Sequence, residues 1–113
     1  MVGALEAKAE MTSKLTLRYQ TLVTPADTLL AHAGRRLTGH EFHRTQVEPR
    51  AGAGDRGAAA WLVDGHPVGH STDPSGCGRP TLHASYLHLH WAGVPGVADR
   101  FVRAASAAAA VAA

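Results

Sequence analysis

Two histidine-rich runs hold the groups in this chain that could do chemistry. The first, His83-Ala84-Ser85-Tyr86-Leu87-His88-Leu89-His90-Trp91-Ala92-Gly93, gathers three of the chain's eight histidines near the C-terminus. Residues 81–91 read as the last strand. Alternate side chains of a strand point to opposite faces, so His88 and His90 share one face with Tyr86, while Leu87 and Leu89 lie behind. Two imidazoles on one face, just ahead of Gly93-Val94-Pro95-Gly96, suit proton transfer, because an unperturbed imidazole exchanges its proton near neutral pH. They also suit metal binding.

The second run is Gly39-His40-Glu41-Phe42-His43-Arg44-Thr45. By the same alternation Glu41 and His43 share one face, and His40 and Phe42 the other. Glu41 is the only carboxylate within a histidine-rich run. It could hold His88 through a hydrogen bond across strands, or form a buried ion pair with Arg44 or His43; the sequence leaves both open. His88 and His90 with Glu41 or His43 would give three or four ligands, enough for zinc. Spacing alone does not specify such a site, and the reading favours no metal. Cys77 lies in Pro74-Ser75-Gly76-Cys77-Gly78. A nucleophilic cysteine is activated ahead of a helix, whose N-terminal dipole lowers the thiol pKa. Arg79-Pro80 and a strand follow Cys77 instead, so it reads as an incidental loop thiol.

The positioning elements can be read in order. Residues 15–23 alternate, with Leu15, Leu17 and Tyr19 on one face, and read as a strand. Thr24-Pro25-Ala26-Asp27 reads as a turn or helix start, with one or two helical turns over 26–33. Residues 35–48 form a longer strand carrying the second histidine run. Residues 50–60 are rich in Gly and Ala and read as a flexible loop. Trp61-Leu62-Val63 is a short strand closed by the hairpin signal Asp64-Gly65. Residues 67–80 read as a second loop. A helix runs from about Val97 to Ala110, with Val97, Phe101, Val102 and Ala105 at helical spacing. His32, His66 and His70 fall in loops or near turns and are expected at the surface. The expected core rests on few large side chains, chiefly Leu15, Leu17, Tyr19, Leu22, Phe42 and Trp61, with Tyr86, Leu87, Trp91 and Phe101 from the C-terminal half.

The 113 residues suffice for one small domain, not two. Hydrophobic residues make up 45%, but much of that is alanine, which buries little area, and aromatics are only 5%. A net charge of +2 is too weak for a nucleic-acid footprint. One cysteine excludes an internal disulfide framework. Glu6, Lys8 and Glu10 interrupt any N-terminal apolar stretch, and the Ala-rich tail is far short of a membrane span. The expectation is a cytoplasmic chain with neither nucleic-acid nor membrane partners.

The motif HASYLHLHWAG resembles the C-terminal signature of the glutaminase domain of cobyrinate (hydrogenobyrinate) a,c-diamide synthases. Gly39-His40-Glu41-Phe42-His43-Arg44-Thr45 is similar to that family's GHEFHYS-type motif. Leu15-Thr16-Leu17-Arg18-Tyr19-Gln20 resembles its LTLGYR, departing at Arg18, where Gly is usual, and at Gln20, where Arg is usual. Trp61 and Gly65 fall in the variable stretch between the two histidine motifs. The resemblance runs from about Met1 to Val102.

This resemblance implies an α/β fold: the C-terminal portion of a class I glutaminase-like (flavodoxin-like) domain, strands plus a C-terminal helix. Residues 1–113 would be a partial glutamine amidotransferase domain with an Ala-rich tail over about 104–113. Met1–Leu5 resembles an internal family segment, and no Cys-Gly-Gly nucleophile elbow occurs. The implied catalytic histidine is His88. His90 stands where many class I glutaminases place an orienting Glu; it either orients His88 or packs on Trp91. Glu41 and His43 would lie near the pocket. The family is a carbon–nitrogen ligase of cobalamin biosynthesis that amidates corrin carboxylates with glutamine, ATP and magnesium. The nucleotide belongs to an N-terminal P-loop-type domain, and no G-x-x-x-x-G-K-[ST] is present here. The chain is thus expected to carry no cofactor and to be inactive alone. It would work with glutamine, a corrin substrate and an N-terminal ATP-binding, nucleophile-bearing part, or else cover its exposed surface as a homodimer. A non-catalytic or histidine-based metal-binding module derived from that domain is the alternative.

Overall fold

The computed structural model describes residue 5, residues 7–52 and residues 58–112, with side chains through residue 109. The N-terminal segment 1–4 and the middle of the 50–60 loop lie outside the described residues. Two long strands, β1 (Lys8–Val23) and β2 (Arg36–Glu48), pair antiparallel along most of their length. β1 starts well before residue 15. The polar Thr12-Ser13-Lys14 does not end it but forms a bulge, where the register slips between Met11 and Thr16. The Thr12 hydroxyl donates to the carbonyls of Lys14 (3.1 Å) and Arg44 (2.8 Å), which stitches the bulged segment to β2.

The segment between β1 and β2 contains no helix, contrary to the reading of 26–33. Its own side chains take the backbone groups that a helix would need. The Thr28 hydroxyl accepts from the amides of Leu30 (3.1 Å) and Ala31 (3.2 Å), and the Asp27 carboxylate accepts from Ala33 N–H at 2.8 Å. Thr24 closes the segment, accepting from Arg35 N–H at 2.9 Å and donating to the His32 carbonyl.

β3 (Trp61–Val63) and β4 (His66–Val68) form a hairpin across Asp64-Gly65. Both turn residues have positive φ, 51° and 78°, as the tight two-residue turn requires. The main sheet has five strands in the order β4-β3-β1-β2-β7, with β7 being Leu87–His88. β5 (His70–Thr72) and β6 (Leu82–Ala84) make a separate two-stranded sheet, so part of 67–80 is strand rather than loop. The single strand expected over 81–91 is broken. It divides into β6, then β7 (Leu87–His88), then a 3-10 turn at Trp91–Gly93. At the break the Ser85 hydroxyl accepts from Leu87 N–H at 3.0 Å, a local bond that turns the chain out of the β5–β6 ladder.

Helix α1 spans Val97–Ala112 and takes in the described part of the Ala-rich tail. Its first turn is tied to the β1–β2 connection: Arg100 Nε donates to the Thr28 carbonyl at 2.9 Å, and Arg35 donates to the Pro95 carbonyl at 2.8 Å. The described residues therefore form strands plus one C-terminal α-helix, a make-up compatible with α/β. The strand pairings are antiparallel, and one isolated parallel bridge joins Ala51 and Gly69. No helix among the described residues is long and apolar enough to cross a membrane.

The core is small and sits at one end of the sheet, on one face. It is built from Leu22, Ala31, Leu37, Ala60, Trp61, Val94 and Val97, with Leu87 and Leu89 packed against it. Gly39 makes this packing close: a Cβ there would lie 2.6 Å from Leu22 Cδ1 and 3.4 Å from Leu87 Cβ. Several of the large residues expected in the core are exposed. Leu17, Tyr19 and Phe42 are 58%, 77% and 57% accessible, and Leu15, Trp91, Phe101 and Val102 are also on the surface. The strand alternation is present, but no layer covers the Leu17–Tyr19–Phe42 face in this chain.

Candidate functional site

Antiparallel pairing sets His40 opposite His88 and Glu41 opposite Leu87. On the next strand, Tyr19 lies opposite His40 and Arg18 opposite Glu41. Alternation then sorts the candidate residues onto two different faces of the sheet.

On the open face, three rings stand in a row across β1, β2 and β7. The Tyr19 and His40 ring centres are 5.0 Å apart, and those of His40 and His88 are 6.3 Å apart. His90 joins them along one open cavity of about 560 Å³, with Arg35 and Arg36 on its wall. His88 and His90 are both exposed and share this cavity, as their spacing implies. Exposure leaves the His88 imidazole free to meet a reactant and to pass a proton.

Tyr86 is not beside His88. It lies on the opposite face, where its ring stacks on His43 at 3.6 Å and its hydroxyl meets that of Thr45 at 2.5 Å. The break at Ser85 resets the alternation, so Tyr86 and His88 part company. Glu41 faces this side too and does not reach His88. Its carboxylate accepts from Arg18 Nε at 2.8 Å and pairs with His43 Nε2 at 2.7 Å. His43 Nδ1 is in turn 2.8 Å from the Thr45 carbonyl oxygen. Burial works against a charged Glu41, but the hydrogen bonds from His43 and Arg18 outweigh it and hold its pKa below the ordinary value. Of the two arrangements left open by the sequence, the ion pair is present. It includes His43 as expected, and Arg18 rather than Arg44.

The sheet thus separates His88 and His90 from Glu41 and His43. Among the described residues no three His, Cys, Asp or Glu side chains are grouped to hold a metal ion. His70 is buried, not at the surface, and its Nε2 lies 3.0 Å from the Pro49 carbonyl. His83 packs edge-on to Trp61 with ring centres 5.3 Å apart, and burial lowers its pKa to about 4. Cys77 is exposed in the turn after Asp73, whose carboxylate accepts from the Cys77 and Gly78 amides at 3.0 and 2.7 Å. A strand, not a helix, follows that loop.

His40 and Arg18 are the site residues that sequence reasoning missed, and Tyr86 is one it placed on the wrong face. The signal for the first two was available in the pairing of the two long strands, since a hairpin register places Tyr19 and Arg18 against His40 and Glu41. Nothing in the sequence marks the break that turns Tyr86.

The sequence is similar to those of a,c-diamide synthases. It is 56% identical over 106 residues to the hydrogenobyrinate a,c-diamide synthase of Thermobifida fusca (strain YX), covering 94% of this chain and 22% of that protein. It is 49% identical over 102 residues to the hydrogenobyrinate a,c-diamide synthase of Streptomyces coelicolor, covering 90% of this chain and 19% of that one. It is 39% identical over 103 residues to the cobyrinate a,c-diamide synthase of Gloeobacter violaceus, covering 91% of this chain and 20% of that protein. The chain belongs to the cobyrinate (hydrogenobyrinate) a,c-diamide synthase family, matching a C-terminal stretch of its members. It spans about a fifth of the length of these relatives. No protein-family model matches the chain, and no solved structure matches it.

Proposed function

We propose that this chain supplies the histidine-bearing part of a glutamine-hydrolysing unit of the class I type, within a cytoplasmic a,c-diamide synthase-like ligase. The observation that carries the reading is the open cavity in which His88, from the motif HASYLHLHWAG, stands exposed beside His40 and His90. In this reading a cysteine thiolate attacks the side-chain amide of glutamine, ammonia leaves, and a thioester remains. The His88 imidazole takes the thiol proton, gives it to the departing amide nitrogen as ammonia forms, and then takes a proton from the water that hydrolyses the thioester. The ammonia would then amidate a carboxylate of a corrin substrate, with ATP bound by another segment driving the loss of the carboxylate oxygen.

The thiol must come from a different polypeptide segment. Cys77 has no helix dipole behind it, and its amide is already held by the Asp73 carboxylate. ATP and magnesium belong to the family's reaction, yet the sequence offers no P-loop and the described residues no carboxylate–histidine cluster for a metal. The residues present do not fit that pair, and this chain's share of the chemistry is the proton transfer at His88.

Co-expression with a segment bearing a Cys-Gly-Gly elbow and a P-loop tests the reading. A stable complex that releases glutamate from glutamine is expected. A stable complex without glutaminase activity would leave His88 with no such role.

A further inference from the structure

His88 stands on β7, a two-residue strand at the edge of the main sheet, and its imidazole is exposed. Among the described residues that imidazole has no hydrogen-bond partner, and one ring lies near it, His40. An exposed side chain on so short an edge keeps its rotamer freedom unless a neighbour fixes it. His40 is placed to do so. β2 is an interior strand here, so the His40 backbone lies between Tyr19 on one side and His88 on the other. The His40 side chain is half-buried, and the Tyr19 ring backs it at 5.0 Å with a tilt of 49°. His90 has no such relation to His88: no ring contact joins the two among the described residues.

The cavity also sets what kind of partner His88 needs. On taking the thiol proton, His88 becomes a cation. No carboxylate lines the cavity among the described residues, and its two charged side chains besides the imidazoles, Arg35 and Arg36, are cations too. The acceptor for an imidazolium N–H must therefore be a neutral group, and a neutral imidazole offers one ring nitrogen as an acceptor. At 6.3 Å between centres, the ring nitrogens of His40 and His88 are too far apart for a direct hydrogen bond and close enough for one bridging water.

We infer that His40 is the positioning residue of His88. Through one bridging water it fixes the rotamer and tautomer of the His88 imidazole and accepts from it once it is protonated. Tyr19 backs His40 and limits where that ring can turn. The inference rests on the reading of His88 as the proton carrier of glutamine hydrolysis. It gives the orienting role, which the sequence offered to His90, to the other histidine motif.

The test uses the ligase reconstituted with the segment bearing the Cys-Gly-Gly elbow and the P-loop. H40F keeps a flat ring against Tyr19 but has no ring nitrogen, whereas H40Q keeps a polar group that can hold the water. H40F should lower kcat for glutamine-dependent amidation about 10–100-fold, the worth of one hydrogen bond to a charged group, with the KM for glutamine little changed. H40Q should recover most of that loss. Alkylation of the elbow thiol by iodoacetamide, followed by mass spectrometry of the peptides, should slow in H40F as in H88A, while alkylation of the exposed Cys77 stays the same. Ammonia-dependent amidation, which bypasses His88, should be alike in all three variants and reports that each is folded. If H88A leaves glutamine-dependent turnover intact, the reading of His88 fails and this inference falls with it. If H88A abolishes turnover but H40F behaves as wild type, the inference alone fails. Equal loss in H40F and H40Q, or a parallel loss with ammonia, would give His40 a structural role and overturn it too.

Discussion

His40 and His88 face each other across β2 and β7, their ring centres 6.3 Å apart, with Tyr19 behind His40 at 5.0 Å. The two histidine motifs meet through this pair on one face of the sheet and through the His43–Tyr86 stack on the other. If His88 handles the protons of glutamine hydrolysis, its loss should strike only that half of the reaction. In the reconstituted ligase, His88→Ala should lower glutamine-dependent amidation by about 10²–10⁴-fold, the usual cost of removing a general base. Ammonia-dependent amidation should be nearly unchanged. His90→Ala should cost less. Equal losses with both nitrogen donors would mark His88 as a structural residue.

The isolated chain should release no glutamate from glutamine above a heat-treated control. Cys77→Ala should change nothing, because the thiol lies in an exposed turn without a following helix. Turnover by this chain that disappears in Cys77→Ala would reverse both statements.

Much of the site was legible because strand alternation is a rigid rule. The sharing of one face by His88 and His90, and of the other by Glu41 and His43, follows from counting by two along each run. The Asp64-Gly65 hairpin and α1 were legible for similar local reasons. What failed was whatever depended on another part of the chain. Residues 26–33 carry helix-compatible alanines and leucines, but Thr24, Asp27 and Thr28 capture the backbone donors first. Tyr86 was misplaced because a side-chain bond from Ser85 interrupts the strand. Leu17, Tyr19 and Phe42 have the pattern of a buried face, and pattern alone cannot reveal that no layer lies over it.

That open face should govern how the chain behaves in solution. Leu17 and Phe42 are paired neighbours on β1 and β2, and each is more than half exposed. Contiguous apolar surface of this kind favours association. The chain should self-associate and bind a hydrophobic dye, and L17T/F42T should shift it toward monomer with little change in its urea midpoint. A wild-type chain that is monomeric at high concentration by sedimentation, with no dye binding, would contradict this.

Glu41 should matter more to stability than its surface partner does. Arg18 is largely exposed, so solvent screens its share of the pair. His43 and Glu41 are both mostly buried, and Glu41→Ala strands the imidazole and a cluster of donors. A loss of about 1–3 kcal/mol is expected from urea unfolding at pH 7, against less than about 1 kcal/mol for Arg18→Ala. Comparable losses for the two would mean that the network is held from the Arg18 side.

The sharpest pH dependence should come from His83. Burial holds its pKa at about 4, against an ordinary 6.5, so the folded chain keeps this imidazole neutral where the unfolded chain protonates it. Between those values the unfolded state binds more protons, and stability rises with pH. The contribution is fully present above about pH 6.5 and is lost as pH falls toward 4, a fall of about 1–2 kcal/mol between pH 7 and 5. Glu41, whose pKa is lowered, adds a separate loss only at more acid pH, below the ordinary carboxylate value. The His83 and Trp61 ring nitrogens Nε2 and Nε1 are also buried without hydrogen-bond partners among the described residues. His83→Leu removes one of these and the titration together. It should leave stability at pH 7 unchanged or slightly higher, and flatten the urea midpoint between pH 7 and 5. A variant that keeps the wild-type slope over that interval would assign the pH dependence to a different histidine.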